Sequence, residues 1–417
     1  GNNINFISGV TNSLGVFADE ATVEFKDNMS FINSNENKNI YVYGKDAAVE
    51  IDAGKTVTID GVGTPTTPGN KTVGIYLENV STGSTFNGTT GQLVVTNEAV
   101  GIYSKGNNTL NVNVTAAGEK TTGVFIEDGS TITGTVTARG ASGVGAVGVY
   151  GSRGAVTIGA AGLTLNTDTD KGTGMYLADG AYATGGKITV SNTAAVDNIG
   201  VYYSKGTASG TVTNGSEIEL AGNKSIGIYA ADGINLVNTK NITSTGLNNN
   251  IASYIGGSST LTSNGNIIMT GTDNIGVYTG KGSGVNNGTI NLGGTLAVCE
   301  ASTVGMAAYA GGTIINNSVI NVTEGVGMLL SVGSELVNDG TINVINGTGI
   351  EGSGKVVNRG NIYVTGTGKD EDTSGTSSTA NIGSVVVDSK GNITINDKYV
   401  AIGGTLSTAG SIIVNGA

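Results

Sequence analysis

The tripeptide Gly74-Ile75-Tyr76 decides the fold, because the chain keeps returning to it. It recurs as Gly101-Ile102-Tyr103, Gly123-Val124-Phe125, Gly148-Val149-Tyr150, Gly174-Met175-Tyr176, Gly200-Val201-Tyr202, Gly227-Ile228-Tyr229 and Gly276-Val277-Tyr278. Weaker copies extend the series to sixteen, at Gly15-Val16-Phe17, Asn39-Ile40-Tyr41, Ile251-Ala252-Ser253, Gly305-Met306-Ala307, Gly327-Met328-Leu329, Gly349-Ile350, Gly383-Ser384 and Ala401-Ile402. Their mean spacing is about 26 residues. A fixed period of this size marks a solenoid, in which each repeat buries its apolar face only against its neighbours.

The residues between copies say which solenoid. From Gly327 to Gly349 there are turns at Val332-Gly333-Ser334, Asn338-Asp339-Gly340 and Asn346-Gly347. They separate a Gly-h-Tyr-type strand, the strand Glu335-Leu336-Val337 and the strand Thr341-Ile342-Asn343-Val344. Three short strands and three turns make one triangular rung of a parallel β-helix. The expectation is an all-β chain of about 16 rungs, stacked about 4.8 Å apart in a rod roughly 70–75 Å long. It is read as one segment, 1–417, without a domain break. Insertion loops lie near 64–70, where both prolines fall, and near 368–380; such insertions project from a solenoid and carry binding function in some cases and nothing in others.

A second register runs through the later rungs. Asn stands four residues before a core Ile in Asn214–Ile218, Asn238–Ile242, Asn264–Ile268, Asn286–Ile290, Asn316–Ile320, Asn338–Ile342 and Asn358–Ile362. Stacked at one corner, these amides are expected to hydrogen-bond along the axis. The same phase places Ile267 and Met269 on the outer face, in columns otherwise made mostly of Asn and Thr.

Composition limits the function. The 417 residues include 71 Gly, two Pro and no Trp, and 38% are hydrophobic, so the chain is turn-rich yet able to build a core. A net charge of −12 spread over only 12% charged residues argues against nucleic acid, and no basic cluster suits an anionic membrane. No apolar run is long enough to cross a bilayer as a helix. No signal peptide is read at the start, and both ends fall in mid-pattern, as in a segment cut from a longer protein. With no His and one Cys, Cys299, zinc sites and His-dependent triads are excluded. The lone thiol is expected to pack.

Catalysis finds little support. Among the outward columns only Glu217 and Glu219 are carboxylates, with Lys187 one rung away; an exposed ion pair explains them better than a glycan-cleaving acid pair. Glu127/Asp128 and Asp168/Asp170 sit in turns without a calcium-loop pattern. No cofactor, metal or enzymatic activity is expected.

The Gly-h-Tyr strand is more informative. Val73, Ile75 and Leu77 share one face, and Gly74 and Tyr76 the other, by strand alternation. An aliphatic core then sends Tyr76, Tyr103, Tyr150, Tyr176, Tyr202, Tyr229 and Tyr278 outward as one stripe, with a gap near Ser253. Two readings stay open: rings stacked over bare glycines that stabilise the sheet, or an aromatic surface for sugar rings or a protein partner. Lys105, Lys205 and Lys281 just after the stripe predict a locally basic border suited to acidic or glycosylated ligands.

The repeat Val/Ile-Gly-Ile/Val-Tyr, followed by Ser104-Lys105-Gly106 or Ser204-Lys205-Gly206 and then Asn-x-Gly-Thr-Ile-Asn-Val, resembles the passenger domains of the large fusobacterial type V autotransporter adhesins, the RadD-like group among them. The resemblance covers the chain from about residue 10 onward. It implies a right-handed parallel β-helix, exported through an outer-membrane β-barrel absent from this chain and displayed on the bacterial surface. It implies binding to other bacteria, host proteins or host glycans. A structural spacer that presents a binding tip located elsewhere is the alternative. No binding residue of the family can be placed on this chain by motif.

Overall fold

The structure is a computed structural model. It describes residues 3–6, 13–33, 39–61, 72–139, 145–167, 172–192, 198–207, 210–231, 233–293, 303–352 and 355–365, with short strands at 384–387, 393–395, 405–408 and 412–414. Both insertion loops, Cys299 and the Asp168/Asp170 pair lie outside the described residues. The chain divides into two compact units, the first of residues 1–209 with 214–218, the second of 210–213 with 219–417. Both are all-β, their strands pair in parallel, and no helix occurs among the described residues.

In the first unit the Gly-h-Tyr copies form eight strands: Leu14–Asp19, Ile40–Lys45, Val73–Glu78, Val100–Lys105, Thr122–Glu127, Val147–Arg153, Thr173–Leu177 and Asn198–Ser204. In the second they form six: Ser225–Ala231, Ile251–Ile255, Ile275–Thr279, Val304–Ala308, Val326–Leu330 and Thr348–Gly352. Eight strands bound seven circuits and six bound five, which gives about 12 turns, fewer than the sixteen rungs expected. One source of the excess is Ser384–Val387. This strand pairs with Lys355–Asn358 and so continues a different side of the solenoid from the Gly-h-Tyr strands.

The second unit keeps the three-strand circuit, for example Val326–Leu330, Glu335–Asn338 and Thr341–Ile345. In the first unit two sides merge into single long strands, Asn108–Ala117, Ser130–Arg139, Ala155–Thr167 and Tyr182–Asn192. A bend there replaces the expected turn. Gly134 sits at one such bend with φ +109, and a Cβ on it would lie 2.0 Å from the Val112 carbonyl oxygen, so only glycine fits.

The core of each unit is built mainly of aliphatic side chains. Val42, Ile75, Ile102, Val124, Val149, Met175 and Val201 stack in register, all without solvent exposure, and each contributes about 1.5–3 kcal/mol by burial. The glycines of the repeat correct the simple alternation. Gly74 does not share the outer face with Tyr76: a Cβ there would fall 2.6 Å from the side chain of core residue Ile59 and 2.8 Å from the Gly101 carbonyl oxygen. Gly101 stands in the same relation to Gly123, at 2.6 Å, and Gly276 to Gly305, at 2.5 Å. These glycines let adjacent turns close at an inward bend, and the tyrosine rings do not lie over them.

Three registers slip by one or two residues from the expected phase. Val42, not Ile40, pairs with Ile75, so Tyr43 takes the outward place and Tyr41 is buried. Ser253 pairs with Ile228 and Val277 inside, and Tyr254 points out. Ile267 and Met269 are buried and Ile268 is exposed, the reverse of the expectation. A one-residue shift exchanges the faces of a whole strand.

The asparagine ladder forms in the second unit. Asn286 Nδ2 donates to Asn316 Oδ1 (2.9 Å), Asn316 to Asn338 (2.8 Å) and Asn338 to Asn358 (2.6 Å), all fully buried. Asn264 is not a member. Ser263 occupies that place, paired with Asn238 and Asn286, while Asn264 joins an exposed ladder through Asn287 and Asn317. Ser263 is too short to donate to Asn286, whose Oδ1 is buried without a partner. Ser263→Asn is therefore expected to complete the ladder and stabilise the unit by about 1 kcal/mol, read as a higher midpoint in thermal or urea unfolding. Ile228→Asp, which puts a carboxylate into the aliphatic stack, is expected to cost several kcal/mol in the same measurement.

Candidate functional site

The outward residues of the Gly-h-Tyr strands form a stack of aromatic rings in each unit. In the first unit it runs Phe17, Tyr43, Tyr76, Tyr103, Phe125, Tyr150, Tyr176 and Tyr202. Ring centroids are 4.7–5.2 Å apart from Tyr43 to Tyr202, with planes within 13° of parallel. In the second unit Tyr229, Tyr254, Tyr278 and Tyr309 stack at 4.6, 4.8 and 5.4 Å. All seven tyrosines of the expected stripe, Tyr76, Tyr103, Tyr150, Tyr176, Tyr202, Tyr229 and Tyr278, stand in these columns, and there is no gap at Ser253. Tyr43, Tyr254 and Tyr309 join them. Tyr43 and Tyr254 are visible in the sequence once the register is shifted. Tyr309 lies two residues beyond Ala307, the residue paired with Tyr278, so no motif marks it.

Apart from the exposed end rings Phe17 and Tyr309 the rings are half-buried, and inside the column their faces are occupied by each other. Such stacks add about 0.5–1.5 kcal/mol per pair beyond burial. What solvent meets is ring edges and phenol hydroxyls, an arrangement that offers no free aromatic plane inside the column to a sugar ring.

Beside the column, two residues along each strand, runs a ladder of charge. Asp19, Lys45, Glu78, Lys105 and Glu127 pair in register from turn to turn, and Arg153 closes the series through a bulge. Lys45 Nζ lies 3.0 Å from Asp19, Lys105 Nζ lies 2.9 Å from Glu78, and Arg153 pairs with Glu127. The signs alternate. The border of the stripe in this unit is thus balanced, which corrects the basic border expected from Lys105; that lysine lies in a strand, with acidic residues on both sides. Lys205 and Lys281 are exposed.

The ladder also reaches the phenols. Tyr43 Oη donates to Glu78 and Tyr103 Oη to Glu127. Burial, reinforced by these carboxylate partners, pushes both phenol pKa values well above the ordinary range. The Tyr43 hydrogen bond and then Lys105 hold Glu78 below its ordinary value. A group whose pKa is raised on folding stabilises the fold below its unfolded pKa, and that contribution is lost as pH rises. Stability is thus expected to decline above about pH 10, where unfolded tyrosine ionises and the folded phenols still hold their protons. Replacing Tyr43 and Tyr103 by Phe is expected to flatten that alkaline limb in unfolding titrations between about pH 9 and 12.

Other candidate residues are engaged structurally. Glu127 is shared by Tyr103 and Arg153, and Asp128 lies 3.8 Å from the same arginine. Asp46, at φ 47, accepts backbone N–H bonds from Val80, Ser81, Thr82 and Gly83 at 2.9–3.1 Å, led by Ser81, and these hold its carboxyl far below the usual range. Glu217 is exposed and Glu219 half-buried. Among the described residues no group of three or more Asp, Glu, His or Cys side chains is placed to hold a metal ion. Comparison with protein-family models, curated proteins and solved structures finds no match to the chain.

Proposed function

We propose that the chain is a segment of an adhesin passenger, displayed at a bacterial outer membrane through a β-barrel carried elsewhere. It holds other bacteria, host surface proteins or host glycans by many weak contacts along a rigid face. The observation that carries this reading is the half-exposed aromatic column, which places tyrosine at one phase on six of the eight Gly-h-Tyr strands of the first unit, with Phe17 and Phe125 on the other two. Tyrosine gives large contact area at low entropic cost and a hydroxyl for polar partners. Repetition along a rigid scaffold turns weak contacts into avidity without any single tight site. No step of this reading needs a cofactor or a catalytic residue.

The occupied ring faces favour a second reading, in which the turns are a spacer and the column exists for stability. The two differ in what the hydroxyls do. Tyr150, Tyr176 and Tyr202 changed together to Phe keep the stack and remove the hydroxyls. The soluble chain is expected to block adhesion between cells bearing the full protein and their partners, and the triple variant to block it several-fold less at unchanged thermal stability. Equal blocking by the variant removes the column from the contact. No blocking by the parent chain establishes the spacer.

A further inference from the structure

The pattern Asn-x-Ser/Thr, which acceptor asparagines of N-linked sugars carry, recurs along the chain. Among the described residues most copies are engaged by the fold. Asn79 and Asn113 donate to backbone carbonyls at 2.8 and 2.9 Å, Asn214 and Asn316 are buried, and Asn287 and Asn321 belong to amide ladders. Asn87-Gly88-Thr89 in the first unit is different. Asn87 ends the strand Thr85–Asn87 and is exposed, as is Thr89. The Thr89 hydroxyl donates back to Asn87 Oδ1 at 3.2 Å, and Asn87 Nδ2 has no partner among the described residues.

The path of the chain explains why this copy stands clear. Asn87 pairs with Asn111 and Leu93 with Val114, so residues 88–92 stand against only 112 and 113 in the turn above. The surplus bulges outward, because Phe86 and Leu93 fill the interior on either side of it. Four hydrogen bonds pin the bulge. Gly88 N–H donates to the Asn111 carbonyl (2.8 Å), Gly54 N–H to Thr90 (2.9 Å), Gln92 N–H to Lys55 (2.8 Å) and Asn113 Nδ2 to Gly91 (2.9 Å). The first bond also protects the amide. An Asn-Gly pair loses its side-chain nitrogen when the glycine nitrogen deprotonates and attacks the asparagine Cγ, and here that N–H is held by Asn111.

Sugar transfer draws on this arrangement. Nδ2 attacks the anomeric carbon of a sugar carried on a diphosphate, the nitrogen–carbon bond forms, and the carbon–oxygen bond to phosphate breaks. The diphosphate leaves with the electron pair, and Nδ2 gives its proton to the base of the transferase. Negative charge then gathers on Oδ1, where the Thr89 hydroxyl already donates.

We propose that Asn87 of the folded chain is an acceptor for N-linked glycosylation by a transferase that uses a diphosphate-activated sugar. The site lies off the tyrosine column and does not depend on the adhesive reading. Asn107-Asn108-Thr109 is the internal reference. Asn107 and Thr109 are exposed, but Thr109 lies in the strand Asn108–Ala117 and among the described residues no bond joins it to Asn107.

The whole chain is incubated with UDP-glucose and a soluble transferase that reads Asn-x-Ser/Thr. In a second arm it meets a polyprenyl diphosphate oligosaccharide and a membrane oligosaccharyltransferase. Glycopeptide mass spectrometry follows each site in time. In at least one arm Asn87 is expected to be modified about fivefold faster than Asn107, the effect of one hydrogen bond, and the arm that succeeds identifies the donor. Unfolded peptides spanning each pattern are expected to lose that preference. Thr89→Val is expected to abolish modification at Asn87 with thermal unfolding unchanged, and Thr89→Ser to keep it. An unmodified Asn87 in both arms, no preference over Asn107, the same preference in the peptides, or modification that survives Thr89→Val overturns the proposal.

Discussion

In-register parallel stacking places each side chain about 4.8 Å above its counterpart in the next turn, and every other feature of the fold follows from that constraint. A column must tolerate itself. Aliphatic residues do so by packing, as Ile75 does on Val42 and Ile102. Amides do so by donating one way and accepting the other, as in Asn286, Asn316, Asn338 and Asn358. Aromatic rings do so by stacking. Charges of one sign repel at this distance, so the charged column of the first unit alternates, each Lys or Arg bonded to the acid one turn away.

The glycines are the price of closeness. At Gly74, Gly101 and Gly276 the backbone of the next turn comes so near that a methyl group would meet its carbonyl oxygen at under 3 Å. This explains why the repeat begins with Gly where strand propensity favours a β-branched residue. The inward bend at Gly also lets the residue after it, Ile75 or its equivalents, enter the core, and so fixes Tyr76 and its equivalents outside. The face of the tyrosines is therefore set by backbone packing rather than by anything the rings contribute.

The solenoid was legible in the sequence because self-compatibility forces repetition, and repetition can be counted. The Gly-h-Tyr copies and most of the Asn column stand where their spacing put them. What failed was phase in the degenerate copies. In Asn39-Ile40-Tyr41-Val42-Tyr43 two aromatic residues compete for one outward position, and burial of Tyr41 against Phe31, with centroids 4.7 Å apart, decides for Tyr43. In Asn264-Gly265-Asn266-Ile267-Ile268 two isoleucines compete for the core, and the strand Ile267–Thr270 seats the first. Local pattern cannot separate such pairs, since the choice depends on the turn below. The balanced border was missed for a related reason. Lys105 reads as a basic turn residue alone, and only the pairing with Glu78 and Glu127 shows it as one term of an alternation.

Alternation also bears on what the surface can recognise. A column of like charges would select ligands by long-range attraction, with an affinity that fades in salt. A column that alternates every turn cancels its own field within a few ångströms and leaves only short-range hydrogen-bond geometry. Contact with such a face rewards a partner that keeps step with the turns and gives little to one that is merely charged. The net charge of −12 is carried elsewhere on the chain, as the ladder itself sums to zero. Selectivity by period rather than by charge is what a scaffold built from one repeated turn is able to offer, because period is the one property that every turn shares.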